Sequence, residues 1–368
     1  MKIALVHDWL IGMRGGERVL ESLCELYPRA DLYTLIYEKG SISPIVEDRR
    51  IFTSFIQRLP FAQRGYRYYL PLMPKAIESF DFKDYDLIIS SSHCVAKGII
   101  PGNALHICYC HTPMRYIWEM YGEYKQRLSI FAKMGLSIYR PYLKRWDVNS
   151  AQRVDYFIAN SKNVAHRIKK CYNKESTVIY PPVDTKGFNL SSNSEDFYLI
   201  VSAFAPYKRI DLAIEAFNIL GYPLKIIGRG EDVRFKKIAG ANIEFLGWQS
   251  DEVVRDYYAR CKAVIFPGEE DFGLVPLEAM AAGKPVIAYA KGGALETVKE
   301  GETGLFFYPQ SPSALIEAIQ QFEKKIGNFN SERIRQYALS FDKEVFKRKI
   351  KRFIEDKLND VKKIQSGF

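Results

Sequence analysis

Glu270-Asp271-Phe272-Gly273-Leu274-Val275-Pro276-Leu277-Glu278-Ala279-Met280-Ala281-Ala282-Gly283 lies between two apolar runs, Ala263-Val264-Ile265-Phe266 and Val286-Ile287-Ala288. The runs suit short buried strands, and the stretch between them suits a helix. A strand–helix–strand order makes the two strands parallel. Pro276 fits the first helical turn, where its missing N–H would have had no partner. The amides of Gly273, Leu274 and Val275 then have no partner within the helix, which makes its start an anion site. Glu270 and Glu278 stand on either side of that site. Carboxylates so placed suit hydroxyl groups attached to the anion, the layout of a sugar diphosphate.

The same alternation runs outward in both directions. Residues 2–6, 87–90, 105–109 and 156–159 read as strands of one set. Residues 199–202, 224–227, 243–245, 263–266 and 286–288 read as strands of a second. Helical patterns fall between them at 16–26, 210–220, 250–260 and 313–322. This predicts an α/β chain of two doubly wound, parallel-sheet domains, with ligands beyond the carboxyl ends of the strands. Tyr180-Pro181-Pro182-Val183-Asp184 marks the expected boundary, stiffened by its two prolines. The expected domains are 1–182 and 183–342, followed by a long basic amphipathic helix at 343–368 with Val345, Ile350, Phe353, Ile354 and Leu358 as its apolar stripe. Ser191-Ser192-Asn193-Ser194 reads as a surface loop.

Composition fits this picture. The 368 residues suit two domains, and 47% hydrophobic with 26% charged residues is ordinary for a globular chain. No run reaches the roughly 20 apolar residues that cross a bilayer. The start, Met1 to Val6, enters a strand and then meets His7 and Asp8, unlike a signal peptide, so the expected location is the cytoplasm. Six sparse cysteines in apolar contexts suit reduced core thiols. Cys108-Tyr109-Cys110-His111 lacks a second ligand pair at zinc spacing, so no metal site is expected. A net charge of +10 favours anionic partners. Without a DNA- or RNA-binding motif, nucleic acid ranks below phosphorylated ligands and anionic lipid.

Four further constellations sit at strand ends. Gly15-Gly16-Glu17-Arg18 opens the first helix and lets backbone approach a ligand; it is equally a plain strand-to-helix turn. It lacks dinucleotide-fingerprint spacing, which disfavours a dehydrogenase. Lys208 and Arg209 start the helix at 210–220, where cations oppose the helix dipole unless an anion is near; alone they also read as solvated charges. Ile226-Ile227-Gly228-Arg229-Gly230-Glu231-Asp232 can line a base pocket or form a simple turn. His111, with Pro113, Arg115 and Trp118, follows the strand at 105–109 and so falls in the ligand crevice. Asp84-Tyr85-Asp86 precedes its strand and lies at the wrong end of the sheet.

Glu270-x7-Glu278 with Phe272-Gly273, followed by Met280-Ala281-Ala282-Gly283-Lys284-Pro285-Val286-Ile287-Ala288, resembles the donor-binding signature of retaining GT-B glycosyltransferases of family 4. Pro206-Tyr207-Lys208-Arg209, Gly228-Arg229-Gly230, Gly292-Gly293, Gly301-x2-Gly304, Gly15-Gly16-Glu17-Arg18 and His111 fall in that family's order. The opening Val6-His7-Asp8-Trp9-Leu10 and the stretch Ala203 to Arg209 are most similar to the WbaZ-like branch, mannosyltransferases of O-antigen and capsule assembly. The resemblance implies a GT-B fold and transfer of a hexose, mannose from GDP-mannose, to a lipid-linked or oligosaccharide acceptor. His111, Lys208 and Glu270 would be catalytic. Gly15, Gly16, Arg209, Gly228, Arg229, Phe272, Gly273, Leu274, Val275 and Glu278 would bind the donor, without a cofactor or tightly bound metal. Attack would come from the same face, with the leaving phosphate as base, and the last helix would pack back on the first domain.

One departure stands out. Many members carry an arginine where this chain has Ala203, and Arg209 or Arg229 is the expected substitute. The mixed basic and aromatic stretches 58–70 and 139–146 suit an anionic membrane face, though they also read as ordinary surface helices. A UDP-sugar-dependent transferase, a nucleotide-sugar 2-epimerase or hydrolase, and a decayed sugar-nucleotide-binding scaffold are the competing readings.

Overall fold

The computed structural model describes residues 1–119, 121–122, 130–191, 194–230 and 233–366, with 130–132 and 364–366 described as helix backbone only. Ser192, Asn193, Glu231 and Asp232 lie outside the described residues. The chain divides into two compact units, one of Met1–Pro182 with Glu344–Phe368 and one of Val183–Lys343.

The first unit is built on seven parallel strands: β1 (Ile3–His7), β2 (Asp31–Thr34), β3 (Ile51–Thr53), β4 (Leu87–Ser92), β5 (Leu105–Cys110), β6 (Tyr156–Ala159) and β7 (Ser176–Val178). Their order is β3-β2-β1-β4-β5-β6-β7. Alternate residues face opposite layers, as a pleated strand requires. Ala4, Val6 and Ile88 enter a core with Tyr33, Ile77 and Trp146. Leu5, Leu87 and Ile89 enter another with Leu20, Tyr109 and Phe346. Both faces are covered, which explains why these strands read as continuous apolar runs.

The helix Lys343–Ser366 belongs to this unit. Phe346, Ile350 and Ile354, spaced four apart, are its buried residues, with Phe353, Leu358 and Val361 packed beside them. The stripe expected from sequence named Val345 where the deep residue is Phe346. The larger ring meets Tyr109 edge-on, 5.8 Å between centroids.

The second unit carries six parallel strands: β8 (Tyr198–Val201), β9 (Leu224–Ile227), β10 (Ile243–Gly247), β11 (Ala263–Phe266), β12 (Val286–Tyr289) and β13 (Gly304–Phe307). They are ordered β10-β9-β8-β11-β12-β13. In each sheet the chain first builds outward on one side, then returns to build on the other. The turning points lie between β1 and β4 and between β8 and β11. Crevices open there, because the connections leave in opposite directions.

Stretches expected to be surface helices are more broken than the sequence suggested. Residues 58–70 fold as short turns, including Ala62–Gly65 and the 3-10 segment Tyr66–Leu72, where Pro71 prevents a regular helix. Residues 139–146 do lie on one helix, Ile130–Ala151, yet its Trp146 is core.

Candidate active site

In the second unit the loops leaving β8 and β11 converge. The loop after β8 ends in the 3-10 turn Pro206–Lys208, then Arg209 adopts φ 50° and the helix Ile210–Leu220 begins. Lys208 Nζ donates to Glu270 Oε1 in an ion pair, the two side chains only 15% and 20% exposed. Tyr207 lies beneath the ammonium, 5.4 Å from ring centroid to Nζ.

Two close backbone approaches hold the pair. A Cβ on Gly268 would lie 2.7 Å from Lys208 Cα and from Tyr207 O, so only glycine lets the loops touch there. A Cβ on Gly293 would lie 2.2 Å from Phe272 Cα, while Gly293 N–H donates to Glu270 O at 2.8 Å. Residues 270–272 are thus clamped by the Gly292-Gly293 turn.

The helix Leu274–Ala281 starts next, with Gly273 as its N-cap at φ 87°. Among the described residues no hydrogen bond reaches the amides of Gly273, Leu274 or Val275. Glu278 lies one turn along and accepts from Tyr258 Oη at 3.1 Å. Burial and that carboxylate push the Tyr258 phenol well above its ordinary range, so it stays a donor. Phe272 is buried against Phe341, 6.1 Å between centroids.

The two arginines expected to replace the family's missing one have other partners. Arg209 Nε donates to both Asp211 oxygens at 3.2 Å, and Nη1 donates to Gln310 Oε1 at 3.3 Å. Gln310 is itself tied to Pro267 O at 2.8 Å. Asp211, in the first turn of its helix, supplies the negative charge that offsets a cation at that end. Arg229 is exposed and lies over Trp248, 4.4 Å from the ring. Gly228 packs on the backbone after β8: its Cβ would lie 1.8 Å from Ser202 O.

In the first unit the crevice between β1 and β4 holds a second polar cluster. Helix Gly15–Leu26 opens there, capped by Arg14, whose N–H donates to Glu17 Oε2 at 3.0 Å. A Cβ on Gly16 would meet His111 Nε2 and His7 Cε1, each at 3.5 Å, so Gly16 borders both rings. Ser91 Oγ bridges them, 2.8 Å from His111 Nε2 and 3.1 Å from His7 Nδ1. His7 Nε2 lies 3.6 Å from Glu17 Oε1, beyond hydrogen-bond range, and has no hydrogen-bond partner among the described residues. Burial, with His93 and His7 nearby, holds the His111 imidazole down at about 3, so its ring is neutral at ordinary pH.

Asp8, fully buried, accepts from four successive amides: His93 at 2.7 Å, Cys94 at 3.0 Å, Val95 at 2.6 Å and Ala96 at 2.7 Å. It also receives His93 Nδ1 at 3.0 Å. Burial alone would raise its pKa, but the histidines and amides outweigh that and hold it below the carboxylate range. The sequence reading quoted His7, Asp8 and Glu17 within motifs but gave none of them a site role, and it did not single out Ser91 or His93. The signal was present: both Val6-His7-Asp8 and Ser90-Ser91-Ser92-His93 end an apolar strand in polar residues, at the end where ligands bind. Among the described residues, no group of three or more His, Cys, Asp or Glu is arranged to hold a metal ion.

Two family models match the chain: "Glycosyltransferase Family 4" over residues 13–186 and "Glycosyl transferases group 1" over residues 184–341. With these matches covering most of its length, the chain belongs to the family 4 glycosyltransferases, and its two parallel sheets form the GT-B fold. It is 28% identical to the alpha-1,3/1,6-mannosyltransferase ALG2 of Saccharomyces cerevisiae over 68% of this chain and 61% of that one. It is 27% identical to the D-rhamnosyltransferase WbpZ of Pseudomonas aeruginosa over 50% of this chain and 53% of that one. An uncharacterized glycosyltransferase of Methanocaldococcus jannaschii is 32% identical over 50% of this chain and 52% of its own. The chain thus spans between half and two thirds of these three relatives. Among solved structures, sucrose-phosphate synthase from Thermosynechococcus elongatus has a TM-score of 0.76 at 19% identity, covering 98% of this chain and 100% of that one. HepE of Anabaena in complex with UDP has a TM-score of 0.70 at 19% identity, covering 97% and 100%.

Proposed function

We propose that this protein transfers a hexose from a nucleotide sugar to an acceptor hydroxyl. The observation that carries the reading is the Lys208–Glu270 pair, clamped by glycines at the turning point of the second sheet and followed by the open amides of Gly273–Val275. A diphosphate brings negative charge to an ammonium and to backbone donors already fixed in place. Such donors help most where charge develops, here on the leaving diphosphate. Lys208 and the amides of residues 273–275 take that role. Once Lys208 turns to the phosphates, Glu270 is released toward the sugar hydroxyls, and Glu278, oriented by Tyr258, accepts from the ribose. His111, uncharged and bonded to Ser91, offers a neutral donor or acceptor in the crevice of the first unit.

Mannose from GDP-mannose is the donor favoured by the family resemblance and by the mannosyl- and rhamnosyltransferases among the relatives. A UDP-sugar is the second reading, supported by the UDP and UDP-glucose complexes of the Anabaena protein. The acceptor fits a lipid-linked or oligosaccharide chain of bacterial surface polysaccharide, reached at an anionic membrane face. No helix among the described residues is long and apolar enough to cross a membrane. The first unit does expose apolar side chains among basic ones. Phe61 and Tyr68 are each 82% exposed beside Arg58, Arg64 and Arg67. Met134, Ile138 and Tyr142 line one side of the helix Ile130–Ala151 at four-residue spacing, near Arg145.

Thermal-shift measurements with GDP-, UDP- and ADP-sugars test the reading, because a ligand bound only by the folded state raises its stability. The true donor gives the largest rise. A mannose-specific donor is ruled out by a shift with UDP-sugars alone, and transferase function by no shift with any nucleotide. Mass analysis of products separates transfer from epimerisation, since only transfer lengthens a glycan. Sedimentation with phosphatidylglycerol and with phosphatidylcholine vesicles tests the membrane face, with binding expected to the first only.

A further inference from the structure

The loops after β9 and β10 in the second unit carry an aromatic–cation pair that the phosphate chemistry above does not use. Gly247 ends β10 at φ 69°, after a register shift against β9. Trp248 follows at the carboxyl end of the sheet and is 60% exposed. A lone exposed apolar side chain is ordinary; the setting of this one is not. Gly228 N–H donates to Gly247 O at 2.8 Å, and Phe204 N–H donates to Arg229 O at 2.9 Å, so the loops after β8, β9 and β10 are pinned side by side. A Cβ on Gly230 would lie 2.5 Å from Phe204 Cβ, which keeps the turn at 228–230 flat on its neighbour. The Phe204 ring packs with Phe235 and Phe245, 5.7 and 6.3 Å between centroids. Trp248 joins none of these rings. Its one ring or cation contact among the described residues is the Arg229 guanidinium, 4.4 Å from the ring. Arg229 is itself exposed, and among the described residues no ion pair or hydrogen bond reaches its guanidinium.

We infer that Trp248 is the stacking platform for the base of the donor nucleotide and that Arg229 selects guanine there. This assignment rests on the transferase reading above and deepens it by naming the base. The strand order β10-β9-β8-β11 puts Trp248 two strands beyond β8, about 10 Å at ordinary strand spacing. The Lys208 crevice lies on the other side of β8, between β8 and β11, and all these strands point the same way. A nucleoside diphosphate with its phosphates at Lys208 therefore reaches across the end of β8 with its base toward Trp248.

The chemistry of the pair decides which base it takes. An indole face overlaps a two-ring purine over more area than a pyrimidine. A guanidinium has only donors to offer, in a planar fork, and it keeps that fork free when it stacks on an aromatic face. Guanine presents two neighbouring acceptors, O6 and N7, which match the fork. Adenine sets an amino donor beside N7, and a pyrimidine such as uracil has O4 without a second acceptor on that edge. The pair thus favours guanine on both counts, area and hydrogen bonding.

Calorimetric titration of the full chain with GDP, UDP and 7-deaza-GDP, which lacks N7, provides the test. Trp248→Ala should weaken GDP binding by about 5-fold or more, the range for losing one base–aromatic stack. Trp248→Phe should recover most of it. With saturating donor, kcat of Trp248→Ala should stay within about twofold of wild type, because a stack made equally before and during transfer changes KM alone. Arg229→Met should narrow the preference for GDP over UDP by about 5-fold or more. GDP binding left unchanged by Trp248→Ala overturns the inference alone, and so does a wild type that prefers UDP; both leave a transferase standing. A wild type that binds no nucleotide overturns the transferase reading, and this inference with it. Should a variant fold poorly, the wild type decides by itself: 7-deaza-GDP must bind more weakly than GDP, and equal binding refutes the reading of N7 by Arg229.

Discussion

The two crevices lie at equivalent places in two sheets of the same design, yet they handle charge in opposite ways. In the second unit a lysine and a glutamate neutralise each other at a half-buried position, and glycine contacts keep the loops close. In the first unit three histidines, two carboxylates and a serine are packed together, and burial and the neighbouring charges jointly set the pKa of Asp8, His93 and His111. One arrangement is a single ion pair of a lysine with a glutamate. The other is a hydrogen-bonded cluster of imidazoles, carboxylates and a hydroxyl. All five histidines of the chain, His7, His93, His106, His111 and His166, belong to the first unit.

Substitutions can break this contrast from either side. Asp8→Ala should have the largest effect, because four amides and an imidazole lose their common acceptor. A cost of about 3–5 kcal/mol, as for removing one partner of a buried pair, is expected in urea unfolding followed by probes of the first unit. Lys208→Ala should leave the fold intact and lower kcat by about 10²- to 10³-fold, the range for losing a preorganised charge donor. Steady-state kinetics with the selected donor checks it, and an unchanged kcat would remove Lys208 from the chemistry. Gly268→Ala should cost about 1–3 kcal/mol as the loops are forced apart, read as a lower melting temperature of the second unit.

Acid should separate the units. Burial, as the largest cause, holds both His106 and His111 down at about 3, from an ordinary 6.5. Unfolded chain therefore binds more protons than folded chain between these values, and stability falls as pH drops from about 6.5 toward 3. Urea midpoints at pH 7 and 5.5 should fall for the first unit and hold for the second, which has no histidine. Equal falls would contradict the assignment. The smallest effect is expected for Tyr258→Phe, which removes one hydrogen bond to Glu278. About 0.5–1.5 kcal/mol of donor affinity is at stake, readable by calorimetric titration.

The second crevice was legible in the sequence because its chemistry is tied to backbone geometry. Gly273, Pro276 and the flanking Glu270 and Glu278 announce a helix start by residue type alone. The role of Arg209 was not legible, because Asp211 and Gln310 meet it from two different elements. The first crevice showed only Gly15, Gly16 and His111. Asp8 and His93 are 85 positions apart, and only the pairing of β1 with β4 brings them together. Strands β2, β3, β7 and β13 were missed for a related reason. Each is three or four residues long, and β3, β7 and β13 are edge strands. A short edge strand buries little, so its sequence carries little pattern.

The helix Lys343–Ser366 has a consequence for biosynthesis. Phe346, Ile350 and Ile354 complete a hydrophobic layer on the first sheet, but the ribosome delivers them after the whole of Val183–Lys343. The earlier-made body must therefore wait with an uncovered greasy seam around Leu20, Leu23 and Tyr109 while its neighbour is being translated. Only the translation of Lys343–Ser366 lets that seam close.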